Sequence, residues 1–254
     1  MLELLNVTKQ YPGVTAVDAV SFTAAAGEVT GYLGPNGSGK STTMKMITGL
    51  LKPTSGQVLF LGERIDRDLT AYKRRIGYVP EEPHLYTHLS ATEYLTMVAQ
   101  LRGMTSKQDA DRIDGMLQLF SLHADRFASI SGYSKGMRQK VLLIAALLHN
   151  PELVLLDEPF SGLDVGSSLV LRDLIRALAN SGKAVLFSSH ELDTVERLSS
   201  RVVILHKGKV VANDSVTHLQ SMMKLPNLES IFAQLAVEQD SAAIAQQMMD
   251  LIHV

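Results

Sequence analysis

The chain has 254 residues, 46% of them hydrophobic, with 24 Lys and Arg against 26 Asp and Glu for a formal net charge of −2. That length holds one large or two small domains with ample core, and the near-neutral balance argues against a general nucleic-acid binder, which needs a basic face. The absence of cysteine rules out disulfides, thiolate metal sites and thiol catalysis.

Residues 2–8 and 17–23 read as strands, the second with Val20 and Phe22 alternating, and suggest an N-terminal antiparallel β layer. Residues 28–33 form a short strand running into a glycine-rich loop, and residues 40–50 form a helix stopped at Pro53. Strands follow at 57–61 and 75–79, with Lys73-Arg74-Arg75 read as a solvated surface turn. From about 86 to 150 the pattern is helical, with helices at 92–102, 107–120 and 135–148. Strand and helix then alternate again: strand 153–156, helix 167–180, strand 184–188, helix 192–198, and a hairpin over 202–212 turning at Lys207-Gly208. Strand–helix alternation on both sides of a helical block predicts an α/β fold: a mostly parallel sheet with an all-helical subdomain inserted in its middle. The longest apolar run, residues 141–148, is short of the roughly 20 residues a membrane span needs. The N-terminal stretch has no basic segment leading into an apolar one, so no secretory leader is expected.

Gly34-Pro35-Asn36-Gly37-Ser38-Gly39-Lys40-Ser41-Thr42 matches G-x-x-x-x-G-K-[ST] between a predicted strand and helix, the context that gives this motif its meaning. Glycines let the backbone curl so that successive N–H groups face phosphate oxygens, and the helix beginning at Lys40 adds its positive end. Lys40 is placed to reach the β- and γ-phosphates, the Ser41 hydroxyl to bind Mg²⁺, and Thr42 to add a phosphate contact. Residues 153–158, Leu-Val-Leu-Leu-Asp-Glu, form an apolar strand ending in two carboxylates. Ligands bind at the carboxyl ends of parallel strands, so Asp157 is expected to hold Mg²⁺ through water and Glu158 to deprotonate the attacking water. His190, after Ser188-Ser189, ends a second apolar strand and is expected near the γ-phosphate, while His84, His88, His123, His149 and His206 read as ordinary surface or core residues. Ser134, with small Gly136 nearby, caps the helix that follows and makes a second terminus suited to phosphate. Two anion-binding termini beside one acidic pair fit a two-fold dimer in which each arm closes over the other copy's nucleotide.

In this order the motifs resemble the nucleotide-binding subunit of ATP-binding cassette (ABC) transporters. Walker A lies at 34–42, the Q-loop region at Val79-Pro80-Glu81 and the signature at 133–137. Walker B follows at 153–158, then the D-loop at 161–164 and the switch histidine at His190. Ser134 precedes Asp157 by the short spacing of this family. The resemblance covers residues 1 to about 225 as a P-loop NTPase domain and leaves 226–254 as a C-terminal helical extension. It implies an ATP-hydrolysing subunit, with ATP and Mg²⁺ as ligands, that pairs with a second cassette and powers a membrane permease. The subunit would sit peripherally on the cytoplasmic face through that partner. It further implies adenine stacking by Tyr11, a Mg²⁺ contact from the Q-loop position, occupied here by Glu81 in place of glutamine, and a permease helix received near Glu81, Tyr86 and the 92–102 helix. The signature also departs from the family, with Lys135 for the first glycine and Met137 for the glutamine. Tyr-Ser-Lys-Gly-Met and Tyr-Val-Pro-Glu look like exporter-type cassettes, so export is expected. A soluble non-transport ATPase of this family and a regulatory module without turnover stay open as alternatives. In the tail, Ile244, Met248, Leu251 and Ile252 form one apolar stripe, expected to pack on the chain's own core, with contact to a second subunit as the alternative.

Overall fold

The computed structural model describes residues 1–236 and 248–249. Strands β1 (Leu2–Tyr11) and β2 (Val14–Ala24) form an antiparallel hairpin turning at Pro12-Gly13, β1 running on past the expected residue 8 and β2 extending beyond 17–23 at both ends. β1 also pairs with β4 (Ser55–Phe60), which pairs with the two-residue β5 (Glu63–Arg64), so the N-terminal antiparallel layer is four strands in the order β2-β1-β4-β5.

The second sheet contains β3 (Val29–Leu33), β6 (Ile76–Val79), β7 (Leu153–Asp157), β8 (Ala184–Ser188), β9 (Arg201–His206) and β10 (Lys209–Asp214) in the order β10-β9-β3-β8-β7-β6. Only β10, the second arm of the expected hairpin, runs antiparallel to its neighbour. Side chains alternate between the faces of a strand. Val154, Leu156, Val185, Phe187, Val202 and Ile204 therefore pack on one side with the helices α6 (Val165–Asn180) and α7 (Leu192–Leu198). Leu153, Leu155, Ala184, Leu186, Val203 and Leu205 pack on the other with α1 (Lys40–Ile47) and the antiparallel sheet. Burial on both faces is why these strands read as continuous apolar runs.

The inserted block comprises α3 (Ala91–Leu101), α4 (Lys107–Leu119), a 3₁₀ turn at Ile130–Gly132 and α5 (Lys135–Leu147). Leu95, Ile113, Leu117, Leu122, Ile130, Val141 and Ile144 form a core of their own there. Ser90 and Ser106 start α3 and α4 with reciprocal capping boxes to Glu93 and Asp109.

The basic run 73–75 is not a turn. It ends α2 (Leu69–Arg75), a helix started by the Asp68 side chain on Ala71 N–H, and the following strand therefore begins at Ile76. Tyr72, the one buried residue of α2, donates its hydroxyl to Ile47 O at 2.8 Å and anchors the helix. The exposed Arg75–Glu152 pair adds at most about 1 kcal/mol.

At the C-terminal side, α8 (Val216–Met223) and α9 (Leu228–Ala236) follow β10. Leu228 and Ile231 are buried in the same core as Val195 and Ile204. Of the expected apolar stripe, Met248 is exposed, and Ile244, Leu251 and Ile252 lie outside the described residues.

His149 ties the end of α5 to β6. Its Nε2–H donates to Ile76 O at 2.9 Å, and its buried Nδ1 has no partner among the described residues. Burial, with Arg102 and Lys183 nearby, holds its pKa below 6.5. The neutral ring is the folded form, so its stabilisation is complete above the ordinary histidine range and is lost as pH falls below it. His149→Gln keeps the donor and removes the titration. Urea midpoints compared at pH 7.5 and 5 are expected to fall less in this variant than in the parent.

Candidate functional site

The strand order decides the site. In the order β3-β8-β7, the carboxyl ends of three adjacent parallel strands meet, and each brings a different piece of chemistry to the same edge.

From β3 the chain enters the 34–39 loop and then α1. The turn into the helix occurs at Gly39, whose φ of 105° belongs to the left-handed region, and a Cβ there would stand 2.4 Å from Ala16 O. Gly39 offers no side-chain cap, so the first amides of α1 open onto the loop with the helix dipole behind them. The fully buried Tyr32 of β3 donates its hydroxyl to Thr43 Oγ1 at 3.1 Å, and Thr43 donates to Gly39 O at 3.0 Å. That chain of bonds fixes the helix start to the strand. Lys40, 9% exposed, donates from Nζ to Gly34 O at 2.6 Å and to Pro35 O at 3.3 Å, holding the loop curled around its ammonium. The buried Ser38 hydroxyl has no partner among the described residues.

From β7 come Asp157, buried, and Glu158, partly buried. Glu158 has a φ of 49°, unusual for a residue with a side chain. Its Oε2 lies 2.8 Å from Nδ1 of His190, whose ring is largely exposed beyond the end of β8. Ser188, the last residue of β8 and fully buried, donates to Asp157 Oδ1 at 2.5 Å and accepts from Glu158 N–H at 3.0 Å. From β6, paired Val79 to Leu156, the chain brings Glu81 to the same place.

A cavity of about 290 Å³ is lined by Asn36, Gly37, Gly39, Lys40, Ser41, Thr42, Glu81, Asp157 and Glu158, with Ala16 of β2 as its remaining wall. Burial pushes the Lys40 pKa down, opposed by the charges of Glu158, Asp157 and Glu81. Burial also raises Asp157, as do Glu81 and Glu158, against the Ser188 hydrogen bond and Lys40. Three carboxylates facing one ammonium are an arrangement that a cation relieves. Among the described residues no three His, Asp or Glu form a ready-made metal cage. One or two carboxylates and a hydroxyl, completed by water and phosphate oxygens, are what Mg²⁺ takes. The orphan Ser38 hydroxyl, the Lys40 ammonium and the open helix terminus provide the complementary donors for a polyphosphate.

Tyr11, Ser134 and Gly136 do not line this cavity. Tyr11 ends β1, 45% exposed, with Lys9 Nζ 5.4 Å from its ring centre. Ser134 caps α5 by accepting from Met137 N–H at 3.2 Å. The start of α5 is fastened to the loop after the acidic pair: Lys135 Nζ donates to Ser161 Oγ at 2.7 Å, and buried Gln139 donates to Pro159 O at 3.3 Å. Gly136 lies so close that a Cβ would be 2.7 Å from Gly162 O. Lys135, the departure from the signature pattern, thus has a partner within its own chain. Sequence reasoning missed Ser188 and Ala16. Ser188 stood in the quoted Ser-Ser-His segment, but its position opposite Asp157 is a matter of sheet register.

A family model described as ABC transporter matches residues 17–161. The chain is 34% identical over 252 residues to the bacitracin transport ATP-binding protein BcrA of Bacillus licheniformis, covering 99% of this chain and 80% of that protein. Among solved structures it superposes on the ATP-binding subunit of an ABC transporter with a TM-score of 0.87 at 32% identity, covering 92% of this chain and 99% of the other. It also superposes on the cassette MJ0796, in a dimeric post-hydrolysis state bound to ADP and Pi, with a TM-score of 0.79 at 28% identity, covering 85% and 98%. A phosphate loop, an acidic pair and a helical arm in this topology, together with these matches, show that the chain belongs to the ABC transporter family as an ATP-binding subunit.

Proposed function

We propose that this chain hydrolyses magnesium-bound ATP between two cassettes and so powers export through a separate membrane permease. The observation that carries the reading is the convergence of Lys40, the open start of α1, Asp157 and Glu158 on one cavity. In this reading Lys40, the loop amides and Thr42 hold the phosphates, while Ser41, Asp157 and Glu81 hold the metal, directly or through water. Bound Mg²⁺ supplies neutralisation of charge on the transferring phosphoryl group. Glu158 takes the proton of the attacking water, and His190 Nδ1–H holds that carboxylate in place from the solvent side. Tyr11 offers an exposed ring for the adenine.

Support for two cassettes comes from the exposed start of α5. Ser134 presents an anion-binding terminus outside its own cavity, as a reciprocal dimer requires, and the MJ0796 relative is dimeric with nucleotide products. Support for a membrane partner comes from the transport relative and from the surface beside Glu81, where Tyr86 is 58% exposed. Among the described residues no helix is long and apolar enough to cross a membrane. Export rests on the likeness of the signature and Glu81 segments to exporter-type cassettes.

The test is to purify the full chain with its membrane partner, reconstitute it in vesicles and measure ATP turnover and solute movement against ATP concentration. Sigmoidal, Mg²⁺-dependent turnover coupled to outward movement is expected. Full-speed turnover by a strictly monomeric chain, or purification with no integral membrane protein, would overturn the reading.

A further inference from the structure

The Ser188 hydroxyl is hydrogen-bonded to both members of the acidic pair. It is fully buried at the end of β8, in parallel register with Asp157 on one side and Tyr32 on the other, so it stands between the acidic strand and the strand that feeds the phosphate loop. A hydroxyl has one proton to give and lone pairs to accept with. Ser188 gives its proton to Asp157 Oδ1 at 2.5 Å and accepts the Glu158 amide at 3.0 Å. The second bond replaces what the sheet would otherwise supply. Beyond Asp157 the chain leaves the β7–β8 ladder, and the Glu158 N–H finds a side-chain acceptor where a backbone carbonyl would have served. This bond coincides with the left-handed backbone of Glu158, at φ 49°, a conformation that a residue with a Cβ keeps only when its surroundings hold it.

We propose that Ser188 is a positioning residue for the reaction, setting with one hydroxyl both the rotamer of the Asp157 carboxylate and the backbone bend that aims Glu158. The inference rests on the ATPase reading of the site and adds a residue to it. By orienting Asp157 with one oxygen engaged, Ser188 leaves the other oxygen for the metal side of the cavity. By accepting the Glu158 amide, it keeps that carboxylate within 2.8 Å of His190 Nδ1. The neighbouring Ser189 hydroxyl instead accepts from Glu191 N–H at 3.0 Å.

Ser188→Ala leaves a buried carboxylate oxygen and a buried amide without this partner, and Ser188→Thr keeps the hydroxyl with a β-branch that a strand tolerates. Ser188→Cys keeps the size and weakens the hydrogen bonding, and it carries the test if the alanine variant does not fold. The full chain, saturated with a slowly hydrolysed ATP analogue, is titrated with Mn²⁺ by electron paramagnetic resonance, and turnover is measured in parallel. Ala and Cys are expected to weaken Mn²⁺ binding about 10-fold or more and to lower kcat about 10- to 100-fold. KM for ATP and metal-free nucleotide affinity are expected to stay within about threefold of the parent, and Thr to restore both losses. Mn²⁺ affinity in Ala and Cys within about twofold of the parent, or a Thr variant as impaired as Ala, would overturn the proposal. A parent chain that neither turns over ATP nor binds Mn²⁺ with the analogue would instead overturn the ATPase reading itself.

Discussion

Glu158→Gln is expected to leave nucleotide binding intact, lower turnover by about 10²- to 10⁴-fold, and trap the chain as an ATP-bound dimer. The phosphate-binding groups are elsewhere: Lys40 and the 34–39 loop come from β3 and α1, and neither contacts the Glu158 carboxylate through a hydrogen bond that the substitution removes. Gln has the same length and meets the same backbone bend at φ 49°, with its amide still held by Ser188. What disappears is the carboxylate's charge, felt by Lys40 and Asp157, and with it the capacity to accept a proton. If hydrolysis opens the pair of cassettes, blocking it accumulates the closed state, seen by light scattering on a sizing column as a doubled mass with ATP and monomer without. Normal hydrolysis by this variant would remove Glu158 as the base and direct attention to Asp157 or to substrate-assisted proton transfer.

Lys40→Met is expected to weaken ATP binding at least about 30-fold, because truncating one partner of a buried charged contact costs about 2–5 kcal/mol. Lys40 is the cation facing Asp157, Glu158 and Glu81 across the cavity. Removing it leaves three carboxylates toward which a polyphosphate must bring still more negative charge. Gly34 O also loses its 2.6 Å donor, so the loop loses a bond that keeps it curled. Arginine is not a substitute, since its planar fork cannot fill a socket built around a point charge. Nucleotide titration monitored by calorimetry, without metal, separates this effect from loss of the cation site. Affinity within a few-fold of the parent would mean that the backbone amides and the helix terminus alone hold the phosphates.

The chemistry was legible in the sequence because its carriers are local. The 34–42 loop needs glycines, a lysine and a hydroxyl within nine positions, and residues 153–158 end an apolar strand in two acids. Both patterns hold whatever the rest of the chain does. The helical block was legible from its 3.6-residue period, and the two-faced burial of β7, β8 and β9 from their unbroken apolar runs. Short elements with a single buried contact were not legible: α2 buries Tyr72 alone, and its basic last turn reads as solvated loop until Asp68 is seen capping it. The strand order β10-β9-β3-β8-β7-β6 came only from the fold, since it depends on which apolar faces pack across more than a hundred residues. From that order follows the placement of Ser188 between Asp157 and Tyr32, and the left-handed bend at Glu158, the pairing of His190 with Glu158 and the fastening of Lys135 to Ser161 likewise appear only in the folded chain. The sequence by itself determined which residues are candidates to bind and cleave a nucleotide, because bond-making capacity belongs to residue types at short spacing. Tertiary structure alone decided which of them hold one another in position, because such contacts join distant residues through sheet register and helix packing, neither of which leaves a trace in any short stretch of chain.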